Sequence, residues 1–249
     1  MDAFNMLLEE DIFRTNPQAL EKLTGWVNAR DAGRQPAAMY AMGSLLLAKD
    51  DLAGAVKMAE DGLSKYPQSL PVQTLSLNTI TTLLDKNRVE DAERLISKYP
   101  GTSPGLVFQQ GALAFRKGDY PLAQSLFREA ARRASEKTAE SALFNENLAA
   151  LNANDAAGAA ALVKEAAGSA QLREHILFEQ AHYAAKRMNP QAPELLASFV
   201  ALATDPALKT QARLDQAEVA LNLNPPDLET VQAILPPLEK EQLTPEQTM

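Results

Sequence analysis

The stretch GALAFRKGDYPLAQSLFREA, from Gly111 to Ala130, leaves the chain around it few options. It reads as two short amphipathic helices broken at Gly118-Asp119, a pair that favours a turn over a continuous helix. Ala123, Phe127 and Ala130 recur at i, i+4 and i+7, so they form one stripe on the second helix. Small, large, small on one face suits two helices nested at short distance. Gly111 on the first helix removes the side chain that would hold them apart.

The same register recurs from Pro36 onwards. Gly43 precedes Ala55 by the twelve residues that separate Gly111 from Ala123. Aligned on the second-helix alanine, the chain gives Ala55, Ala92, Ala123 and Ala159, spaced 37, 31 and 36 residues apart. The turns align as well: Lys49-Asp50-Asp51-Leu52, Lys86-Asn87-Arg88-Val89, Lys117-Gly118-Asp119-Tyr120 and Ala153-Asn154-Asp155-Ala156. Each sets turn-favouring residues between two apolar-periodic segments, as a helical hairpin requires. Two units close on a shared string, Lys65-Tyr66-Pro67 and Lys98-Tyr99-Pro100.

This glycine, alanine, aromatic and alanine spacing resembles the tetratricopeptide repeat, whose period is 34 residues. The resemblance implies an all-α protein: an α-solenoid of antiparallel helix pairs forming a right-handed superhelix. One domain over 1–240 is expected, with the clearest repeats at 36–168 and divergent helix pairs at 1–35 and 170–235. Departures from the pattern are visible. Ile80 stands where other units have Gly43 and Gly111, which predicts slightly wider packing. Pro100 follows Ala92 by eight residues where Pro67 follows Ala55 by twelve, so the second helix of that unit should be a turn shorter. The fourth unit has Asn147 at the glycine position and no closing proline.

Outside the repeats the helical period persists. Residues 2–14 place Phe4, Leu7, Leu8 and Ile12 on one face. Asn16-Pro17 then opens a helix to about Asp31, with Trp26 as a core anchor. Residues 171–187 predict a long helix with Leu172, Ile176, Tyr183 and Ala184 turned inward. Asn189-Pro190, Asp205-Pro206 and Asn224-Pro225-Pro226 open three more, the last carrying Leu228, Val231, Ile234 and Leu235. The polar tail 236–249 is expected to fray.

Composition narrows the function. Aromatics are 6% against 46% hydrophobic residues overall, a balance that suits closely packed alanine-rich helices rather than a β-sandwich or barrel. Net charge is −8, which disfavours a nucleic-acid partner. With no cysteine there are no disulfides, thiolate metal sites or cysteine catalysis. No apolar run is long enough for a transmembrane segment. The acidic start MDAFNMLLEEDIF lacks a signal peptide's basic region, which suggests a cytoplasmic protein, or a bacterial periplasmic one if a leader preceded it.

Catalytic signatures are missing: no glycine-rich phosphate loop, G-x-S-x-G, H-E-x-x-H or EF-hand loop occurs. His175, Glu179 and His182 share a helix face at i, i+4 and i+7. They could centre a zinc or hydrolase site, but ligands on successive turns of one straight helix span about 10 Å and converge poorly on one ion. No metal, cofactor or enzymatic activity is therefore expected.

The repeat geometry supplies the better candidate. Tyr40, Leu77, Phe108 and Phe144 hold one register, three residues before the Gly43 position and its equivalents. In tetratricopeptide arrays that register commonly points into a concave groove, though it also serves as packing between repeats. Leu47, Leu84, Phe115 and Leu151 make a second row, for which interhelical packing is at least as good a reading. Arg116 is the one cation near the first row, so a carboxylate-clamping site is disfavoured. The resemblance implies a noncatalytic scaffold or adaptor holding a protein or peptide, an amphipathic helix or extended apolar segment, on Tyr40, Leu77, Phe108, Phe144, Phe115 and Arg116. The alternative is a structural subunit of a larger bacterial assembly, joined through its ends or convex face.

Overall fold

The computed structural model describes residues 17–29 and 33–239, and every regular element among them is helical. The segment 2–14 and the tail from 240 lie outside the described residues. Two compact units divide the chain, Met1–Thr138 and Ala139–Met249.

The first unit contains α1 (Pro17–Asn28), α2 (Gln35–Ala48), α3 (Leu52–Lys65), α4 (Leu70–Asp85), α5 (Val89–Lys98), α6 (Pro104–Arg116) and α7 (Tyr120–Arg133). Within it α2 packs on α3 and α4, α4 on α5 and α6, α6 on α7, and α3 on α5. Each helix thus meets its neighbour or its next-but-one neighbour in the chain. Val56, Ala59 and Leu63 of α3 join Val72, Leu75, Ile80 and Leu83 of α4, Leu95 of α5 and Leu106 of α6 in one buried core. Trp26 packs half-buried on a smaller cluster with Leu23, Ala38 and Leu45. Tyr66 ties the start of the unit together: its hydroxyl donates to Gln35 Oε1 at 2.5 Å, and Gln35 Nε2 donates to the Val27 carbonyl at 2.6 Å.

The expected short helix is present: α5 has 10 residues where α3 has 14, one turn fewer. Ala123, Phe127 and Ala130 are all buried against α6, and a Cβ on Gly111 would stand 2.9 Å from two Phe127 ring carbons. At Gly43 the intruder is different. There a Cβ would meet Leu75 Cδ1 at 2.3 Å, a side chain from the next hairpin.

One device repeats at five hairpin turns. Asp50, Asn87, Gly118, Asn154 and Met188 all have φ between +50° and +79°, the left-handed region. In each case that residue's N–H reaches three residues back and the next N–H five back. Asp50 N donates to Leu47 O at 3.0 Å and Asp51 N to Leu46 O at 2.8 Å; Met188 N donates to Ala185 O and Asn189 N to Ala184 O, both at 2.9 Å. This is the Schellman C-cap, which satisfies carbonyls left over at a helix end. In the first four turns the following residue then opens the next helix. Asp51, Asp119 and Asp155 accept from the backbone of Gly54, Leu122 and Gly158, while Arg88 makes no such cap.

The second unit contains most of α8 (Glu136–Asn152), then α9 (Ala156–Glu165), a 3₁₀ turn at Ala166–Gly168, α10 (Ala170–Lys186), α11 (Ala192–Leu202), α12 (Pro206–Asn222) and α13 (Leu228–Glu239). Leu172, Ile176 and Ala184 are buried and Tyr183 half-buried. Asn189-Pro190 does not open the helix as expected; α11 begins at Ala192. The Met188 turn occupies that place, and Asn189 Oδ1 is used by Gln191 N at 2.9 Å. Asn147, at the glycine position, is fully buried. Its Oδ1 accepts from Gln180 Nε2 at 2.9 Å, and the same nitrogen donates to the Ala159 carbonyl at 2.8 Å. The α11–α12 loop is clamped by Glu174, whose carboxylate accepts from Thr204 N, Thr204 Oγ1 and Asp205 N at 2.5–2.8 Å. These bonds hold its carboxyl below the usual glutamate range.

Candidate functional site

In the first unit Tyr40 on α2, Leu77 on α4 and Phe108 on α6 hold equivalent places on successive first helices, and all three are half-buried. Their inner sides are packed. Tyr40 and Leu77 lie against the core cluster, and Leu77 Cδ1 sits 3.0 Å from where a Cβ on Gly105 would stand. Phe108 meets Phe127 edge-on, ring centroids 5.3 Å apart. Each side chain thus joins helices with part of its surface and offers the remainder to solvent.

The second row is less even. Leu47 and Phe115 are half-buried, Leu84 is core at 3% exposure, and Phe115 packs edge-on against Tyr120 at 5.2 Å. Arg116 is exposed, with its nearest carboxylate, Asp85 Oδ1, at 3.9 Å. In the second unit Phe144 is half-buried and packs on the cluster of Leu162, Ala166, Leu172 and Ile176, and Leu151 is half-buried.

No family model matches this chain, and no curated protein does. None of its described helices is long and apolar enough to cross a membrane.

His175 and His182 do not converge. His175 Nδ1 donates to the Gln171 carbonyl of its own helix at 2.9 Å, whereas His182 Nδ1 turns to Asp215 Oδ2 on α12 at 2.6 Å. No group of three His, Asp or Glu side chains able to hold a metal forms among the described residues. A cleft of about 350 Å³ opens near the turns of the second unit, lined by Leu151, Asn154, Ala159, Tyr183 and Arg187 among others. Arg187 lies over the Tyr183 ring, 4.6 Å from its centroid, and donates to Asn154 Oδ1 at 2.8 Å.

Asn154 is the left-handed residue of one turn and Arg187 precedes that of the next. Lys86 and Asp50 repeat the arrangement in the first unit at 2.5 Å. These clips between turns escaped the sequence reading, as did Asp215. A usable signal existed. The cross-helix pairs Arg94–Glu60, Gln180–Asn147, His182–Asp215 and Arg187–Asn154 are all 33 or 34 residues apart, so each partner stands one repeat away.

Proposed function

We propose that the chain is a noncatalytic protein-binding scaffold built from tetratricopeptide-like hairpins stacked as a solenoid. The observation that carries this reading is the row Tyr40, Leu77 and Phe108: one apolar side chain per hairpin, in register, each half-buried. Rows of this kind suit a partner that presents apolar groups at regular intervals, such as an amphipathic helix or an extended apolar segment. Phe144 holds the equivalent register in the second unit, and Phe115 and Arg116 border the first row. The Leu47–Leu84 row is assigned to packing, since Leu84 is buried.

A pull-down from the native extract with the intact chain tests the proposal when repeated with Tyr40→Ser plus Leu77→Ser. Each half-buried side chain contributes about 1.5 kcal/mol to a contact, so losing both weakens capture about a hundredfold. Undiminished capture by the folded double variant would remove the row from the site. A second reading has its own support. Leu221, Leu223 and Leu228, 51%, 43% and 58% exposed, surround the α12–α13 turn and suit a subunit that joins a larger assembly there. Substituting Leu223 and Leu228 with Ser, rather than the row, would then abolish capture.

A further inference from the structure

Asp215 on α12 is 1% exposed, a burial that only Glu146 matches among the described charged side chains. A carboxylate in that position needs hydrogen bonds and positive charge around it, or it gives up its own charge. Its partners are His182 Nδ1 on α10, 2.6 Å from Oδ2, and Gln211 Nε2 on its own helix, 3.2 Å from Oδ1. The imidazole is held in place from below, stacked on Phe178 with ring centroids 5.5 Å apart and planes inclined by 21°. Glu179 lies three residues before His182 on the same helix, half-buried.

We propose that His182, Asp215 and Glu179 form a proton-controlled pin between α10 and α12, closed while the imidazole is protonated and loosened as rising pH removes that proton. One imidazolium then bonds the buried Asp215 carboxylate, with Glu179 one helical turn away. Without its proton, Asp215 keeps only neutral donors and Glu179 loses its neighbouring positive charge.

The charged surroundings can be named from each packed element. From α12 come Asp215 and Glu218; from α10 come Glu179, Lys186 and His175; α8 carries the buried Glu146, and α11 has only exposed Glu194. The hydrogen bond to Asp215 raises His182 above the ordinary imidazole range; burial opposes it, the charges of Asp215 and Glu179 reinforce it, and Lys186 weakens it. Lys186 is itself engaged by Glu218 Oε2 at 2.8 Å. Burial raises the Glu179 carboxyl, with both histidines pulling it down and Asp215 pushing it further up.

A folded value raised above the unfolded one, about 6.5 for histidine, gives stabilisation that is complete below the unfolded value. That stabilisation is lost as pH climbs through the raised folded value. Glu179 acts with the same sign in a window that opens at its unfolded value near 4.5. Both groups therefore loosen the α10–α12 contact with increasing pH.

The chain has two histidines, so ring-proton NMR of the intact protein, assigned with His175→Gln, follows His182 directly. The expected titration midpoint lies above about 6.5, and α12 amide exchange, corrected for its intrinsic rate, should rise about tenfold as that midpoint is crossed. In Asp215→Asn both effects should vanish. A His182 midpoint at or below the ordinary imidazole value in the unmutated chain overturns the proposal, whether or not the variant folds. The same pH-dependent exchange persisting in folded Asp215→Asn overturns it too.

Discussion

Gly111 and Phe127 share one space, and their sizes are complementary. A Cβ added at Gly111 would meet the ring at 2.9 Å, and the ring has nowhere to go because it is 1% exposed. Gly111→Leu and Ala123→Leu should each destabilise by about 1–3 kcal/mol through overpacking, read as a lower thermal midpoint. A melt unchanged by both would mean that the hairpin register is misplaced. This contact was legible because its small-large-small stripe lies on one helix. The equivalent space at Gly43 was not. Ala59 stands where Phe127 stands in the other hairpin, and the missing volume comes from Leu75 on α4. No local pattern reveals compensation supplied by another hairpin. The rows of apolar residues were legible as rows. How far each side chain is buried depends on neighbours such as Phe127 and Gly105, and was not.

Helix pairs are set by their turns. Four of the five left-handed turn residues are Asp, Asn or Gly, types that visit that region at low cost, and these turns were readable from the sequence. The break after 187 was legible too, but not Met188 as its left-handed residue, because methionine seldom adopts that region and Asn189-Pro190 invites a helix start just beyond it. A methionine with φ of +50° carries strain that the Schellman bonds must hold, and its side chain is 45% exposed, so little burial is at stake. Met188→Asn should therefore stabilise the protein by about 0.5–1 kcal/mol, whereas Gly118→Ala, at φ of +79° with nothing near its Cβ, should cost about 1 kcal/mol. Urea unfolding midpoints shifting in opposite directions would bear this out. A shift of the same sign in both would refute the shared turn geometry.

At larger scale, side chains pair with partners 33 or 34 residues away, and these pairs couple neighbouring hairpins within each unit. Arg94 to Glu60, Gln180 to Asn147 and His182 to Asp215 each span 33 or 34 residues. The exposed ion pair among them, Arg94–Glu60, adds little stability, under about 1 kcal/mol, but it fixes which face meets which. Tyr40, Leu77 and Phe108 hold equivalent positions on α2, α4 and α6 of the first unit. The most direct test of their role is site-specific photocrosslinking in the native extract, with a benzophenone side chain placed in turn at Tyr40 and Leu77. Lys57 and Ser64, exposed on α3, serve as controls. The scaffold reading predicts a discrete crosslinked partner from both row positions and none from the controls. No crosslink from the row, or the same species in equal yield from all four sites, would contradict it.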